Sequence, residues 1–181
     1  LLDANPDLRD ARLLLAECSL AMARDPQYGR TQLHLLDAVR NFELGLAGAD
    51  DAERARERRL LAECHYELGQ FEEGSDAARR AAEGFAAQKG SDAQVGYATA
   101  RLVGARCDYR RFVAVRQAEL DAGQPDRTGV VPVGSEAAAL ATVAAAGFAE
   151  ARLDHPGEAI TQLAAIQMWL GRSGEVVREY E

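Results

Sequence analysis

Several features are scarce in this chain, and each scarcity excludes a class of protein. Five prolines are too few to divide 181 residues into the short strands of an all-β fold. The three cysteines are odd in number and widely spaced, so they do not form a disulfide framework. The sequence has no run of 18 apolar residues and no secretory signal. We therefore predict a cytoplasmic protein without a membrane span.

Clustered positive charge is also scarce. The formal net charge is −8, and Lys89 is the only lysine. The tightest basic cluster is interleaved with acids and consists of Arg54, Arg56, Arg58 and Arg59. Phosphate backbones bind clustered positive charge, so we predict no nucleic-acid partner. The preference for arginine is either a compositional bias or the mark of an anion-binding surface.

The chain is rich in strong helix formers, chiefly alanine with leucine, glutamate and arginine. Apolar residues recur at three- and four-residue spacing, which predicts helices with one buried stripe each. We predict an all-α fold of eight helices in four antiparallel pairs, stacked as an α-solenoid. The pairs cover 7–46, 51–88, 93–122 and 135–170, and the tail 172–181 is the start of a further helix. The third pair divides into helices 93–106 and 109–122, and the longest loop is 123–134.

An internal repeat supports the stacking. The string Leu-Leu-Ala-Glu-Cys occurs at 14–18 and again at 60–64. Both copies lie midway along a predicted helix that is followed by a turn and another helix. The longest loop, 123–134, contains Val130, Val131 and Val133, which either dock onto a partner or fold back onto the stack.

The segment 61–74 resembles the centre of a tetratricopeptide repeat. It has a leucine and a small residue in the first helix, a turn with glycine and an aromatic, and small residues in the second helix. These positions are Leu61, Ala62, Gly69, Phe71, Gly74 and Ala81. The resemblance implies a right-handed superhelix in which small residues let helices approach closely. The unit spacings of 46, 38 and 47 resemble the elongated repeats of bacterial signal-transduction ATPases and regulators.

The resemblance also implies a concave groove, lined by the first helix of each pair, that binds a peptide or partner helix. The corresponding positions are Leu13, Glu17 and Leu20 in the first unit, Arg59, Glu63 and Tyr66 in the second, Tyr97 and Arg101 in the third, and Phe148 and Arg152 in the fourth. The arginines would bind a carboxylate or acidic segment, and the aromatics would be rigid anchors. Alternatively, these are solvated arginines and aromatics at the edge of the core.

Signatures of catalysis are missing from the sequence. It contains no glycine-rich dinucleotide or phosphate loop, no HExxH and no GxSxG. Cys18 and Cys64 would occupy equivalent places in neighbouring repeats, on the order of 10 Å apart or more, which is too far to share a zinc ion. We predict no metal, no cofactor and no enzyme activity, and we expect the cysteines to be small core residues.

The sequence therefore predicts a protein–protein interaction scaffold. Two other functions stay open. One is the sensor or regulatory region of a larger bacterial signal-transduction ATPase or transcription regulator, since the chain begins with Leu1 and could be part of a longer protein. The other is a structural subunit of a large assembly, which would expose further apolar surface.

Overall fold

The computed structural model describes residues 6–123 and 132–170, and all regular secondary structure in these ranges is helical. The predicted all-α class is therefore confirmed. The helices are α1 (Pro6–Arg24), α2 (Thr31–Leu46), α3 (Ala55–Glu67), α4 (Phe71–Ala86), α5 (Ser91–Ala122), α6 (Ser135–Ala151) and α7 (Pro156–Trp169). The further helix predicted at 172–181 and most of the loop 123–134 lie outside the described residues.

The prediction of two helices over 93–122 is wrong, because α5 is one continuous helix of 32 residues. The predicted break at Cys107 and Asp108 contains no glycine or proline to stop a helix. Cys107 is fully buried, and Asp108 accepts a hydrogen bond from the Ser75 hydroxyl of α4 at 2.8 Å and does not cap a new helix. The described chain consequently has seven helices in place of four pairs.

Each helix packs against the next one along the chain. Close approaches of Gly74 to Cys107 and of Gly96 to Phe85 show that α4 and α5 are antiparallel. In addition, α3 contacts α5 and α5 contacts α7, so these odd-numbered helices neighbour one another past the intervening helix. Two contacts show that α5 and α7 are parallel. Thr99, near the start of α5, contacts His155 at the start of α7, and the Phe112 ring further along α5 contacts the Trp169 ring at the end of α7.

The core is bulky at both ends of the stack and made of small residues in the middle. One end cluster joins α1, α2 and α3 around Phe42. The other joins α5, α6 and α7 around Phe112 and Phe148. Between them, α3, α4 and α5 meet mainly through alanines such as Ala62 and Ala78. The helix axes can approach closely there because alanine side chains are short.

The segment 61–74 packs as its small residues predict. Ala62 is fully buried, and a Cβ on Gly74 would lie 2.8 Å from the Cys107 sulfur. Gly69 ends the turn with a left-handed φ of 76°, and the Phe71 ring lies 5.8 Å from the Tyr66 ring. Close packing of the α3–α4 hairpin against α5 therefore depends on these side chains being small or absent.

The expectation of three core cysteines is correct for two of them. Cys64 and Cys107 are fully buried, and burial raises the pKa of each thiol to about 12. Cys18 is exposed, contrary to expectation. It occupies the same place in its five-residue string as Cys64, but no described helix covers that side of α1.

We expect Gly84→Ala to lower the free energy of unfolding by about 1–3 kcal/mol, because its Cβ would overlap the backbone carbonyl of Asp51. The matched control is Gly157→Ala, in the first turn of α7, where a Cβ meets nothing within 4 Å. The control should be neutral or stabilising by about 0.4–1 kcal/mol. Urea unfolding followed by circular dichroism measures both, and equal stability of the two variants would contradict this packing.

Candidate protein-binding face

Charged side chains join α1 to α3 on the solvent-facing side of the odd-numbered helices, which we call the odd-helix face. Three residues of α1 spaced seven apart, Asp10, Glu17 and Arg24, each form an ion pair with the chain around α3. Their partners are Arg54 at 2.7 Å, Arg56 at 2.6 Å and Glu63 at 2.6 Å, respectively. The pairs advance in the same direction along both helices, so α1 and α3 run parallel.

The three groove residues predicted on α3 do lie together on this face. Glu63 binds Arg59 on its own helix and Arg24 on α1, so its carboxylate has two ion-pair partners. Tyr66 lies one turn further along, half-buried against Phe71. Arg59 was expected to bind a carboxylate of a partner protein, but here it binds Glu63 of its own chain. A ligand must therefore compete with Glu63 or bind beside it.

Glu17, predicted as a groove residue of the first unit, also lies on the odd-helix face. Its carboxylate accepts hydrogen bonds from both terminal nitrogens of Arg56, and these bonds lower the pKa of Glu17. Leu13 and Leu20, predicted beside it, are buried in the core at 4% and 3% exposure. Of the three positions on α1, only Glu17 is available to a ligand.

The two groove residues predicted on α5 are on the opposite side of that helix. Tyr97 donates its hydroxyl hydrogen bond to Glu150 of α6 at 2.6 Å, which raises the pKa of the tyrosine. Arg101 binds the same carboxylate at 2.7 Å. Side chains that are four residues apart share one side of an α-helix, so Tyr97 and Arg101 both face α6, whereas Val95 and Thr99 face α3. The predicted register of the third unit is wrong for this reason.

Phe148 is not an anchor on an exposed surface. It is fully buried, and its ring packs edge-on against Tyr109 at 6.5 Å. Arg152 follows the last turn of α6 and is exposed. Neither residue lies beside Arg59, so the predicted line of groove residues does not continue into the fourth unit.

The residues of α5 that do lie on the odd-helix face are Val95, Thr99 and Arg106. Arg106 forms a two-pronged ion pair with Glu158 of α7, and this bonding raises the pKa of the arginine even though burial opposes it. The Thr99 hydroxyl lies 3.4 Å from a ring nitrogen of His155. Thr99 and Arg106 are seven residues apart within the predicted helix 93–106, so helical spacing already groups them on one side of that helix.

A hollow of about 350 Å³ separates α3 from α5 on this face, and we call it the α3–α5 groove. One wall carries Arg56 and Arg59, and the other carries Val95 and Thr99. Phe85 forms its floor, because Gly96 has no side chain to hold the ring away. The groove is therefore apolar at its base with two guanidinium groups at its edge.

A larger open hollow, of about 840 Å³, lies on the other side of α5 near Lys89, Tyr97 and Glu150. It is shallow and bordered by the first turns of α5. Within residues 6–123 and 132–170, no group of three or more His, Cys, Asp and Glu side chains is placed to hold a metal ion. In the same ranges no helix is both long and apolar enough to span a bilayer.

Among the residues that the structure describes, Asp108 is the one buried carboxylate, and sequence reasoning missed it. It is 6% exposed at the back of α5 and borders a small cavity between α4 and α6. Desolvation raises its pKa, although the Ser75 hydroxyl and Arg111 oppose the shift. The ionised form is thus held in the folded chain at a cost.

We expect Asp108→Asn to raise the free energy of unfolding at pH 7. A carboxyl whose pKa is raised by folding destabilises the fold above that pKa, and the penalty fades as pH falls through it. The amide can still accept the Ser75 hydrogen bond. Urea unfolding at pH 4.5 and at pH 7 should show a larger gain at pH 7, and a variant that is less stable at both values would contradict this account.

No family description, curated protein or solved structure matches this chain. The tetratricopeptide-like character suggested by the segment 61–74 therefore remains a prediction from its residues. What the geometry provides is an all-helical stack with a groove between two parallel helices on one face.

Proposed function

We propose that this chain is a non-catalytic scaffold that binds a peptide or helix of another protein in the α3–α5 groove. The observation that carries the proposal is the pairing of an apolar floor, Phe85, with two arginines at the rim, Arg56 and Arg59. Protein-binding sites combine an apolar anchor pocket with polar groups that fix orientation. The groove offers both within one hollow.

The chemistry of the groove favours a ligand with an apolar side chain next to a single carboxylate. Arg56 is 55% exposed while paired with Glu17. Exposed ion pairs contribute only about 0–1 kcal/mol, so a ligand carboxylate can replace the existing partner at little cost. A long acidic segment is disfavoured, because the chain itself carries a net charge of −8.

A role as the sensor region of a larger regulator is compatible with the same groove. In that case the ligand would be a segment of a neighbouring domain in place of a separate protein. A role in assembly is favoured by exposed leucines on α1, such as Leu14 and Leu15.

The chain offers a matched pair of variants to test the groove. Arg59 and Arg101 are similarly exposed, at 21% and 27%, and each binds a glutamate that has a second partner. Glu63 keeps Arg24 when Arg59 is lost, and Glu150 keeps Tyr97 when Arg101 is lost. Both alanine variants should therefore fold, and they differ in which side of α5 they affect.

We expect peptides selected from a phage-displayed library to share a carboxylate beside an apolar residue. Their binding, measured by fluorescence anisotropy, should weaken at least ten-fold in Arg59→Ala, since a hydrogen bond to a charged group contributes about 1.5–3 kcal/mol. Arg101→Ala should bind as wild type does. A library that yields no enriched sequence, or a loss confined to Arg101→Ala, would contradict the proposal.

A further inference from the structure

The outward side of α1 is apolar and uncovered by any described residue. From Leu8 to Met22, the helix positions that face away from α2 and α3 are Leu8, Ala11, Leu14, Leu15, Cys18, Ala21 and Met22. None is charged. Leu14 and Leu15 are 65% and 47% exposed. A row of exposed apolar side chains along one side of a helix, with no charge among them, marks an interaction site.

The repeated five-residue string shows what kind of surface covers such side chains. In α3 the residues Leu60, Leu61 and Cys64 are at most 8% exposed, because they pack in one cluster with α1 and α2. Their counterparts in α1 are Leu14, Leu15 and Cys18, and these are exposed. The same residues in the same helix positions are thus buried wherever another helix is present. The open side of α1 is therefore a surface of the kind that packs against another helix.

The spacing of the exposed stripe indicates which helix fits. Leu8, Ala11, Leu15, Cys18 and Met22 are separated by three, four, three and four residues, which is the seam of a coiled coil. The stripe is also symmetric about Leu15. Under a two-fold axis at Leu15, Ala11 lies opposite Cys18 and Leu8 lies opposite Met22, so small residues meet small and large meet large. A two-fold interface requires such self-complementarity.

We propose that α1 packs antiparallel against α1 of a second copy of this chain, with the two-fold axis at Leu15. The interface buries the uncharged stripe of both copies and leaves the odd-helix face open, because Asp10, Glu17 and Arg24 point towards α3. Dimer formation is therefore independent of peptide binding in the α3–α5 groove. It also presents two grooves in one particle, which strengthens binding to a ligand with two copies of the motif.

The first test is the mass of the protein in solution, measured by light scattering after size exclusion across a range of concentrations. Wild type should reach twice the 19.5 kDa chain mass. Leu15→Glu should weaken dimerisation at least a hundred-fold while circular dichroism stays unchanged. The matched control is Leu153→Glu, which changes a leucine that is 92% exposed elsewhere and should leave the dimer intact.

A second variant tests the alignment of the two α1 helices by forming a cross-link and does not require the interface to be disrupted. With oxidised glutathione as the oxidant, Ala11→Cys should give a disulfide-linked dimer through Cys18 of the second copy. Wild type should not, because the proposed axis keeps the two Cys18 residues apart. Ala21→Cys places a thiol on the outward side of the same helix but outside the five-residue stripe from Leu8 to Met22, and it should not cross-link.

Three results would overturn the proposal. One is a monomer at every concentration, which would mean that a different partner covers the apolar side of α1. Another is a dimer that persists in Leu15→Glu, which would place the interface elsewhere. The third is equal cross-linking of Ala11→Cys and Ala21→Cys, which would contradict the antiparallel register.

Discussion

The continuity of α5 is the constraint on which the rest of the arrangement depends. One helix of 32 residues packs against α3, α4, α6 and α7, so its phase at one end determines its phase at the other. An uninterrupted helix turns about 100° per residue, which puts Thr99 and Arg106 towards α3 and α7. The same rotation puts Tyr97 and Arg101 towards α6. All four side chains precede Cys107, so a break there would leave them in place and would free only the second half of α5, with Phe112, to turn independently.

Small residues make this central helix possible. Gly74, Gly96 and Gly147 let α5 touch its neighbours at distances that a side chain would prevent. Apolar burial supplies the stability, through the bulky clusters around Phe42 at one end and Phe112 at the other. The ion pairs along the odd-helix face contribute much less energy, because most are partly exposed. These ion pairs determine how the parallel helices align. Because each pair is weak, a ligand carboxylate can replace one of its partners.

Local patterns predicted much of this structure. Periodic apolar residues located six of the seven helices, and small residues at 61–74 correctly indicated a tightly packed α3–α4 hairpin. Those inferences depend on contacts within one or two helices. The wrong inferences depended on which way a helix faces in the stack. Arg101 was placed on the groove by aligning imperfect repeats, and Phe148 was placed there although it fills the core.

The exposure of Cys18 has the same origin. A sequence string determines which side of a helix is apolar, but that side is buried only if another helix packs against it. The identical strings at 14–18 and 60–64 differ in whether such a helix is present. The groove residues Val95 and Thr99 lie within the predicted helix 93–106, but the spacing of its residues does not say which side of the helix faces α3. The alignment of the repeats favoured the side that carries Tyr97 and Arg101.

The most direct test of the account is the backbone at Cys107, Asp108 and Tyr109, measured by nuclear magnetic resonance. A continuous α5 predicts helical Cα chemical shifts through all three residues and amide exchange as slow as at Val103 and Phe112. Coil shifts with fast exchange at these amides would mean two helices. The parallel packing of α7 along α5, which joins Thr99 to His155 and Phe112 to Trp169, would then lose its basis.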